Sequence, residues 1–219
     1  ISTVIAAIVL RYLYVQFQWR EQLKTEASAR VQALQARIRP HFLFNSLNTI
    51  ASLTRSAPDV AETAIEDLSD LFRASLDNTH EQTTLGEELT VARRYLNIES
   101  LRLGERLSVA WDLDDLSLET LVPPLILQPL LENAIYHGIE PLPQGGIIHV
   151  AGHNDGGNLE IVISNPVAGV SKRTSGTRIA QENIRQRLQI AFGADADLVT
   201  SQADGVYTVT LKMPGVGRP

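Results

Sequence analysis

The stretch Arg39-Pro-His-Phe-Leu-Phe-Asn-Ser-Leu-Asn48 carries a histidine directly after a proline and has the spacing of a helix. On a helix, residues three and four apart share a face. One face of this helix is polar and consists of His41, Asn45, Asn48 and Ser52. Another face is apolar and consists of Phe44, Leu47 and Ala51. The pattern therefore predicts a helix that holds His41 toward solvent.

His41 has the chemistry of a phosphoryl acceptor. Imidazole titrates close to neutral pH, so a neutral ring nitrogen is available to attack a phosphoryl group. Asn45 lies one turn further along the helix, where its side chain can hydrogen-bond the imidazole and orient it. A surface histidine that has no chemical role and happens to follow a proline shows the same pattern.

The segment upstream of this stretch is also helical in pattern. Residues 16–38 contain no Gly or Pro, and apolar residues recur there at steps of four and three, as in a coiled-coil seam. These residues are Ala27, Val31, Leu34 and Ile38. A single amphipathic surface helix is the alternative. Pro40 removes one backbone donor, so we expect a local bend there.

A second helix is predicted after Pro58, where apolar and small residues again recur at steps of three and four. They are Ala61, Ala64, Ile65, Leu68, Leu71, Phe72 and Ser75. The short linker at residues 56–58 would join the two helices as an antiparallel hairpin. Two copies of such a hairpin can bury their apolar faces as a four-helix bundle, so we expect a homodimer.

The periodicity changes from helical to alternating near Gly104. Thr84-Leu-Gly-Glu87 has the spacing of a capping box and opens a third helix, which Gly104 ends. From Arg106 alternate residues are apolar, which predicts a strand. Further strands are predicted at 146–152, 159–164, 197–201 and 206–213, with helices at 126–136 and 178–192. This order predicts an α/β sandwich with helices against a mixed sheet.

The segment Pro129-Leu-Leu-Glu-Asn-Ala-Ile-Tyr-His-Gly138 is a second candidate site. Its polar residues share one helical face and are Glu132, Asn133, Tyr136 and His137. An amide oxygen is a hard ligand suited to Mg²⁺ held with nucleotide phosphates, and a neighbouring carboxylate can position or deprotonate a nucleophile. A half-exposed helix in a polar crevice has the same pattern.

Two glycine-containing turns form a third candidate site. Ser164-Asn-Pro-Val-Ala-Gly169 closes a predicted strand, and Gly176-Thr-Arg-Ile-Ala-Gln-Glu-Asn183 opens a predicted helix. A glycine loop before a helix N-terminus can cradle phosphate through backbone N–H groups and the helix dipole. In most proteins such residues mark only a turn.

The composition excludes several classes of function. The 219 residues carry a formal net charge of −6, whereas a surface that neutralises DNA phosphates needs clustered Lys and Arg. We therefore expect no direct nucleic-acid partner. The chain has no cysteine, which excludes disulfides and thiolate zinc sites. Because the hydrophobic content of 44% lies in the globular range, we expect stabilisation by a packed core.

The N-terminal residues predict a membrane flank. The chain starts at Ile1 without Met and is apolar through Leu10, so we expect the tail of a longer protein whose upstream part completes a span of about 20 residues. Interfacial aromatic and basic residues follow, namely Arg11, Tyr12, Tyr14, Trp19, Arg20 and Lys24. A buried N-terminal helix or a signal segment is the alternative. On the membrane interpretation, the chain after about residue 20 is cytoplasmic.

Together these segments resemble the LytS/AlgZ-type sensor histidine kinases from Arg20 to Pro214. Pro40 to Asn45 matches the phosphoacceptor motif and Leu127 to Gly138 the nucleotide motif, with Tyr95-Leu-Asn-Ile-Glu99 and Pro123-Pro124 between them. The resemblance implies an α+β chain. Its N-terminal helical hairpin would form a dimeric four-helix bundle, followed by an α/β sandwich ATP-binding domain of the gyrase, Hsp90, histidine kinase and MutL type.

The resemblance also implies roles for single residues. His41 matches the phosphorylated histidine, Glu132 the activating acid and Asn133 the Mg²⁺-ATP ligand. The other residues implied to bind the nucleotide are His137, Asn165, Gly169 and Gly176. The implied domains are a membrane segment and flank at 1–19, the signalling, dimerisation and phosphoacceptor helices at 20–104, and the catalytic ATP-binding domain at 105–219.

The function that this resemblance implies is a two-component sensor histidine kinase in the bacterial cytoplasmic membrane. It would autophosphorylate His41 from Mg²⁺-ATP and pass the phosphoryl group to an aspartate of a LytTR-type response regulator. The alternative is a non-catalytic or phosphatase-only dimeric scaffold that controls the same regulator. Two residues depart from the pattern of the superfamily. Asn165 stands where an Asp that binds adenine is usual, and an amide accepts hydrogen bonds less strongly than a carboxylate. Arg178 stands where a glycine is usual.

Overall fold

The computed structural model describes residues 40–76, 82–113, 116–155, 157–168 and 175–215, together with Arg11, Tyr14 and Gln16. The chain separates into two compact units, Ile1–Asn45 and Ser46–Pro219. The predicted coiled-coil seam, most of the membrane flank and the turn glycine Gly169 lie outside the described residues. Within the described ranges, no helix combines the length and apolar composition needed to cross a membrane. The predicted domain boundaries stay predictions.

Helices α1 (Pro40–Ser56) and α2 (Pro58–Leu76) are separated by one residue. The Ala57 backbone N–H donates to the Leu53 carbonyl at 2.8 Å, and the Ala57 carbonyl accepts from the Ala61 N–H at 3.0 Å. A proline suits the first position of α2, because that position needs no backbone donor. The linker lies where the sequence predicts it, while the antiparallel pairing and the dimeric bundle stay predictions.

The two helices differ in how much of their apolar surface is buried. The buried positions of α2 are all predicted ones, namely Ala61, Ala64, Leu68, Leu71 and Ser75. Ile65, predicted on the same face, is 51% exposed. On α1 the buried positions are Ser46 and Ile50, whereas Phe44 and Leu47 are 65% and 48% exposed. The apolar stripe of α1 therefore faces solvent in the single chain.

Helix α3 (Leu85–Leu103) begins with the predicted capping box. The Glu87 N–H donates to Thr84 Oγ1 at 3.2 Å, and the Thr84 N–H donates to Glu87 Oε2 at 3.1 Å. The helix ends at Gly104, whose φ of 58° lies in the left-handed region that glycine adopts without strain. Both predicted ends of this helix are confirmed.

A five-stranded mixed sheet follows α3. Its strands are β2 (Leu107–Asp112), β4 (Gly146–Asp155), β5 (Asn158–Pro166), β6 (Asp197–Ala203) and β7 (Val206–Pro214). They lie side by side in the order β2-β4-β5-β7-β6. Strand β2 runs parallel to β4, and the other pairs are antiparallel. These strands lie at the predicted positions. Two short strands, β1 (Thr83–Thr84) and β3 (Leu121–Val122), pair with each other and are too short for periodicity to predict.

Helices α4 (Gln128–Asn133) and α5 (Ser175–Phe192) complete the structure. Helix α3 contacts β2 and α4, and α5 contacts β6 and β7. The helical turn Ala134–Ile139, which follows α4 directly, contacts β4 and β5. Alternate residues of the strands are buried, as Leu159, Ile161 and Ile163 illustrate on β5. The arrangement is the predicted α/β sandwich.

Candidate functional site

His41 is exposed in the first turn of α1, as the sequence predicts. The Asn45 amide nitrogen lies 3.2 Å from His41 Nδ1 and 3.2 Å from Nε2. The Asn45 amide therefore contacts both ring nitrogens, and the tautomer of the imidazole decides which of them can accept a hydrogen bond from it. The expected interaction between Asn45 and the imidazole is confirmed, and it restrains the ring while leaving the histidine accessible.

Helix α4 continues without interruption into a π-helical turn at Ala134–Ile139. The predicted helix at 126–136 is thus confirmed, with a wider last turn that reaches Ile139. The predicted apolar face is buried and consists of Leu127, Leu130, Leu131, Ala134 and Ile135. Single π turns are rare and occur often at functional sites. Residue spacing in sequence could not distinguish this turn from an ordinary α-helix.

Glu132 and Asn133 lie at the end of α4, directly before the π turn. Asn133 is buried, and Glu132 is half-buried. The Gln128 side chain, one turn earlier, donates from Nε2 to Glu132 Oε1 at 3.0 Å. A carboxylate only accepts when ionised, so the donor end of the amide must face Glu132. Gln128 is a site residue that sequence analysis missed, although its spacing of four from Glu132 was a usable signal.

The π turn carries the remaining polar residues of this segment. Tyr136 is 49% exposed and His137 is half-buried, and their rings meet edge to face with centroids 4.8 Å apart. This contact orients the imidazole of His137 at the surface of the segment. The structure therefore brings Glu132, Asn133 and His137 together on one short segment, as predicted.

Asn165 lies near the end of β5 and packs against the π turn. Its side chain is 3% exposed, and its Nδ2 donates to the Pro166 carbonyl at 2.8 Å. A Cβ added at Gly138 would lie 2.2 Å from Asn165 Nδ2. The Nδ2 group of Asn165 already donates to the Pro166 carbonyl. The amide oxygen is therefore the atom through which Asn165 can bind a ligand, as a hydrogen-bond acceptor.

The glycines predicted to cradle phosphate are only partly described. Gly176 lies in the first turn of α5, so the predicted start of this helix is confirmed, and Gly169 lies outside the described residues.

Two side-chain hydrogen bonds connect α5 to the rest of the sandwich. Gln181 donates to the Tyr207 hydroxyl at 2.6 Å, and Arg187 donates to the Pro124 carbonyl at 2.8 Å.

The donor set on α4 suits a hard divalent cation. Among the residues that the structure describes, no three His, Cys, Asp or Glu side chains cluster as a metal site. Mg²⁺ commonly takes one or two protein oxygens and completes its shell with water and nucleotide phosphates. The amide oxygen of Asn133 and the carboxylate of Glu132 are oxygens of this kind.

We expect Gly138→Ala to destabilise the sandwich by about 1–3 kcal/mol, as overpacking of a tight contact does. The new methyl group would overlap Asn165 Nδ2 at 2.2 Å and approach the Pro166 carbonyl to 2.8 Å. Urea unfolding followed by far-UV circular dichroism measures the change. Gly86→Ala is the matched control, because its added Cβ meets nothing closer than 3.4 Å and it should be neutral or slightly stabilising. Equal unfolding midpoints for the two variants would contradict the close packing.

Comparison with known proteins identifies relatives that match most of the chain. The profile of the histidine kinase family matches residues 29–107. The sensor histidine kinase YpdA of Escherichia coli (strain K12) is 34% identical over 184 residues, covering 79% of this chain and 32% of that protein. The sensor protein LytS of Staphylococcus haemolyticus is 32% identical over 206 residues, covering 88% and 35%. The sensor histidine kinase/phosphatase LytS of Staphylococcus aureus is 35% identical over 191 residues, covering 81% and 33%.

Solved structures of lower identity are also similar to the chain. The Acinetobacter baumannii histidine kinase AdeS is 15% identical with a TM-score of 0.48, over 88% of this chain and 98% of that one. The histidine kinase domain of the Erythrobacter litoralis blue-light activated histidine kinase is 19% identical with a TM-score of 0.46, over 87% and 93%.

An exposed histidine on α1, the Glu-Asn pair on α4 and the α/β sandwich follow one another in the order expected from the resemblance to sensor histidine kinases. The match to curated relatives over most of the chain agrees with this class. Over most of its length the chain is similar to LytS-type sensor histidine kinases. It spans about a third of the length of the curated relatives that it matches.

Proposed function

We propose that the chain is a protein-histidine kinase that transfers the γ-phosphoryl group of ATP to His41 and then to an aspartate of a response regulator. The observation that carries this proposal is the geometry of His41, which is exposed and has the Asn45 amide 3.2 Å from both ring nitrogens. A nucleophile must be accessible and oriented before it can attack in line. The test is transfer of label from γ-labelled ATP, with His41→Gln as the comparison.

The proposed reaction consists of two phosphoryl transfers. In the first, a lone pair of the His41 imidazole attacks the γ-phosphorus, the bond from this phosphorus to its bridging oxygen breaks, and ADP leaves. The proton of the attacking ring is released, and Glu132 is the proposed acceptor. In the second transfer, a carboxylate oxygen of the regulator attacks the phosphorus and the N–P bond breaks. The ring takes up a proton from solvent as it leaves, which returns the neutral imidazole.

Residues of α4 and the turns around it are the proposed nucleotide site. Asn133 would hold Mg²⁺ through its amide oxygen, and the metal would neutralise charge on the β- and γ-phosphates. The buried oxygen of Asn165 would accept from the adenine amino group. The other proposed nucleotide contacts are His137, Gly169 and Gly176. The close packing of Asn165 on the π turn supports a site that combines Asn165 with the residues of α4 and the π turn.

Helices α1 and α2 are the proposed dimer interface. Large apolar side chains are exposed along both helices of the single chain, namely Phe44, Leu47, Val60, Ile65 and Leu76, with exposures between 40% and 65%. Pairing with a second copy as a four-helix bundle would remove such surface from water, which favours association. By the family resemblance, the partner in phosphotransfer would be a LytTR-type regulator, and the intact protein would sit in the bacterial cytoplasmic membrane.

A phosphatase-only or non-catalytic dimeric scaffold is the second candidate function. It is favoured by Asn165, because a neutral amide replaces the usual carboxylate and donates its N–H group to Pro166. One group of relatives is named as both kinase and phosphatase. The two functions differ in a direct observation: a scaffold would bind the phosphorylated regulator and alter its lifetime without forming phosphohistidine.

We expect Gln128→Glu to slow labelling at pH 7 by at least about tenfold and to shift the optimum toward higher pH. A second carboxylate would then lie where Gln128 Nε2 now donates to Glu132 Oε1 at 3.0 Å. Two like charges so close share a proton, which raises the apparent pKa of the pair and blocks proton acceptance until the pH rises. The measurement is the pH profile of the initial labelling rate.

Gln189→Glu, on the exposed surface of α5, is the control for an added charge and should leave the pH profile unchanged. Gln128→Ala removes the donor without adding a charge, so it should lower the rate and move the optimum less than Gln128→Glu does. A Gln128→Glu profile that coincides with that of the unmodified chain would exclude Glu132 as the proton acceptor.

A further inference from the structure

The strongest polar cluster outside the proposed reaction centre surrounds Glu88, in the first turns of α3. Its side chain is 3% exposed, and it accepts hydrogen bonds from three successive backbone N–H groups. Leu125 donates to Oε1 at 2.5 Å, and Ile126 and Leu127 donate to Oε2 at 2.9 and 3.2 Å. A carboxylate rarely remains buried without such compensation.

The three donors are the residues that lead directly into α4. Leu127 is the N-cap of α4, and its own side chain makes no capping hydrogen bond. Backbone N–H groups at a helix start have no partner within the helix, so an external acceptor stabilises them. Glu88 supplies this acceptor from a different helix, and its negative charge also suits the positive end of the α4 dipole.

The backbone that Glu88 holds is strained. Leu125 has a φ of 56°, a left-handed value that is unfavourable for a non-glycine residue and persists only where the surroundings enforce it. Arg187 of α5 donates to the carbonyl of the preceding Pro124 at 2.8 Å. Residues 124–127 are therefore held by hydrogen bonds from two helices, to Glu88 of α3 and to Arg187 of α5.

The electrostatics of Glu88 reflect this position. Burial raises the pKa of its carboxyl, and the three backbone N–H groups and the charge of Arg187 act in the opposite direction. Both oxygens already accept from N–H groups, so the ionised form matches the hydrogen-bond pattern and a neutral amide at this position would not.

The far end of the same segment is also held, by Arg102 of α3 and by Arg106 in the turn that follows α3. Arg102 donates to Glu140 Oε1 at 2.6 Å, and Arg106 donates to the Glu140 and Leu142 carbonyls at 2.9 and 3.1 Å. At its middle, α3 is ion-paired to α2, because Arg94 contacts Asp67 and Asp70. Helix α3 thus holds both ends of the segment that carries Glu132 and Asn133.

We propose that Glu88 is a positioning residue for nucleotide binding: it fixes the start of α4 from α3 and thereby sets where Glu132 and Asn133 meet the phosphates. The proposal rests on the proposed function of α4 as the nucleotide helix. Glu88 itself touches neither nucleotide nor His41 in this scheme. It acts through the backbone of residues 125–127, so changes at Glu88 should alter nucleotide affinity and the local order of α4.

The test uses Glu88→Gln in the full chain, with Glu87→Gln as the matched control on the same helix. Glu87 is exposed, and Gln can replace Glu in a capping box, so this control removes one charge and keeps the cap. An amide at position 88 offers one acceptor oxygen and places an NH₂ group against backbone N–H donors. We expect the dissociation constant of Mg²⁺-ATP, measured by calorimetry, to rise about tenfold in Glu88→Gln and to stay unchanged in Glu87→Gln.

Hydrogen exchange gives the independent readout of positioning. In Glu88→Gln, the amides of residues 125–133 should exchange faster, while the β5 and β7 amides keep their protection. A general loss of fold would accelerate all of them. If Glu88→Gln does not fold, Arg187→Gln replaces it, because it removes the Pro124 contact and leaves the three N–H bonds, and we expect about a threefold rise in the dissociation constant.

The outcomes separate the two proposals. Unchanged exchange at residues 125–133 in a folded variant overturns the positioning role, and so does unchanged Mg²⁺-ATP affinity in a chain that binds the nucleotide. Absence of ATP binding in the unmodified chain would instead refute the proposed kinase function. In that case faster exchange at 125–133 in Glu88→Gln would still identify Glu88 as the residue that positions α4.

Discussion

A His41→Gln chain incubated with Mg²⁺ and γ-labelled ATP should incorporate no label above background, a loss of at least about a hundredfold. Glutamine keeps a polar side chain of similar length on the exposed face of α1, but its amide nitrogen has no basic lone pair to attack phosphorus. The change leaves the buried positions of α1, Ser46 and Ile50, untouched, so folding should be unaffected. The measurement is retained radioactivity after denaturing electrophoresis.

His153→Gln is the matched control for this experiment. His153 lies on β4 and is also exposed, so it tests whether an exposed histidine outside the α1 motif carries the label. Phosphohistidine is an N–P species, and we expect acid to release the label while base retains it. Label that persists in His41→Gln would show that another residue is phosphorylated. No label in an unmodified chain that dimerises and binds ATP would favour the scaffold function.

Local patterns in the sequence predict most of the secondary structure, because the forces that form these elements act between near neighbours. The capping box at Thr84 and the stop at Gly104 depend on backbone groups within one turn. The strand β5 is visible because its side chains alternate between a buried and a more open face. The helix that carries Glu132 and Asn133 is likewise visible from its apolar face, and so is the link from Asn45 to His41.

Contacts between distant residues could not be predicted in this way. Glu88 accepts from residues 37 to 39 positions later, and no local pattern distinguishes it from the exposed Glu87 beside it. The close approach of Gly138 in the π turn to Asn165 is a tertiary contact, which no local pattern in the sequence reveals. The exposure of Phe44 and Leu47 is a further case, because an apolar stripe in sequence does not reveal which surface covers it.

Asn133→Ala should remove the dependence of ATP affinity on Mg²⁺. In the unmodified chain we expect Mg²⁺ to tighten ATP binding, because the Asn133 amide oxygen would hold the metal and the metal would neutralise phosphate charge. Asn133 is buried at the end of α4, directly before the π turn, and alanine at this position keeps the helix while removing the proposed ligand oxygen. We expect the dissociation constant of Mg²⁺-ATP to rise by about 10- to 100-fold and to approach that of metal-free ATP.

Calorimetric titration with ATP, with and without Mg²⁺, measures this difference, and far-UV circular dichroism verifies that the variant is folded. Asn48→Ala, at an exposed position of α1, is the control and should bind Mg²⁺-ATP as the unmodified chain does. Comparison with Glu88→Gln then separates ligation from positioning. Loss of a metal ligand removes the Mg²⁺ effect, whereas displacement of the whole helix should weaken ATP binding with and without the metal. An Asn133→Ala chain that still binds ATP more tightly with Mg²⁺ would require a different oxygen as the metal ligand.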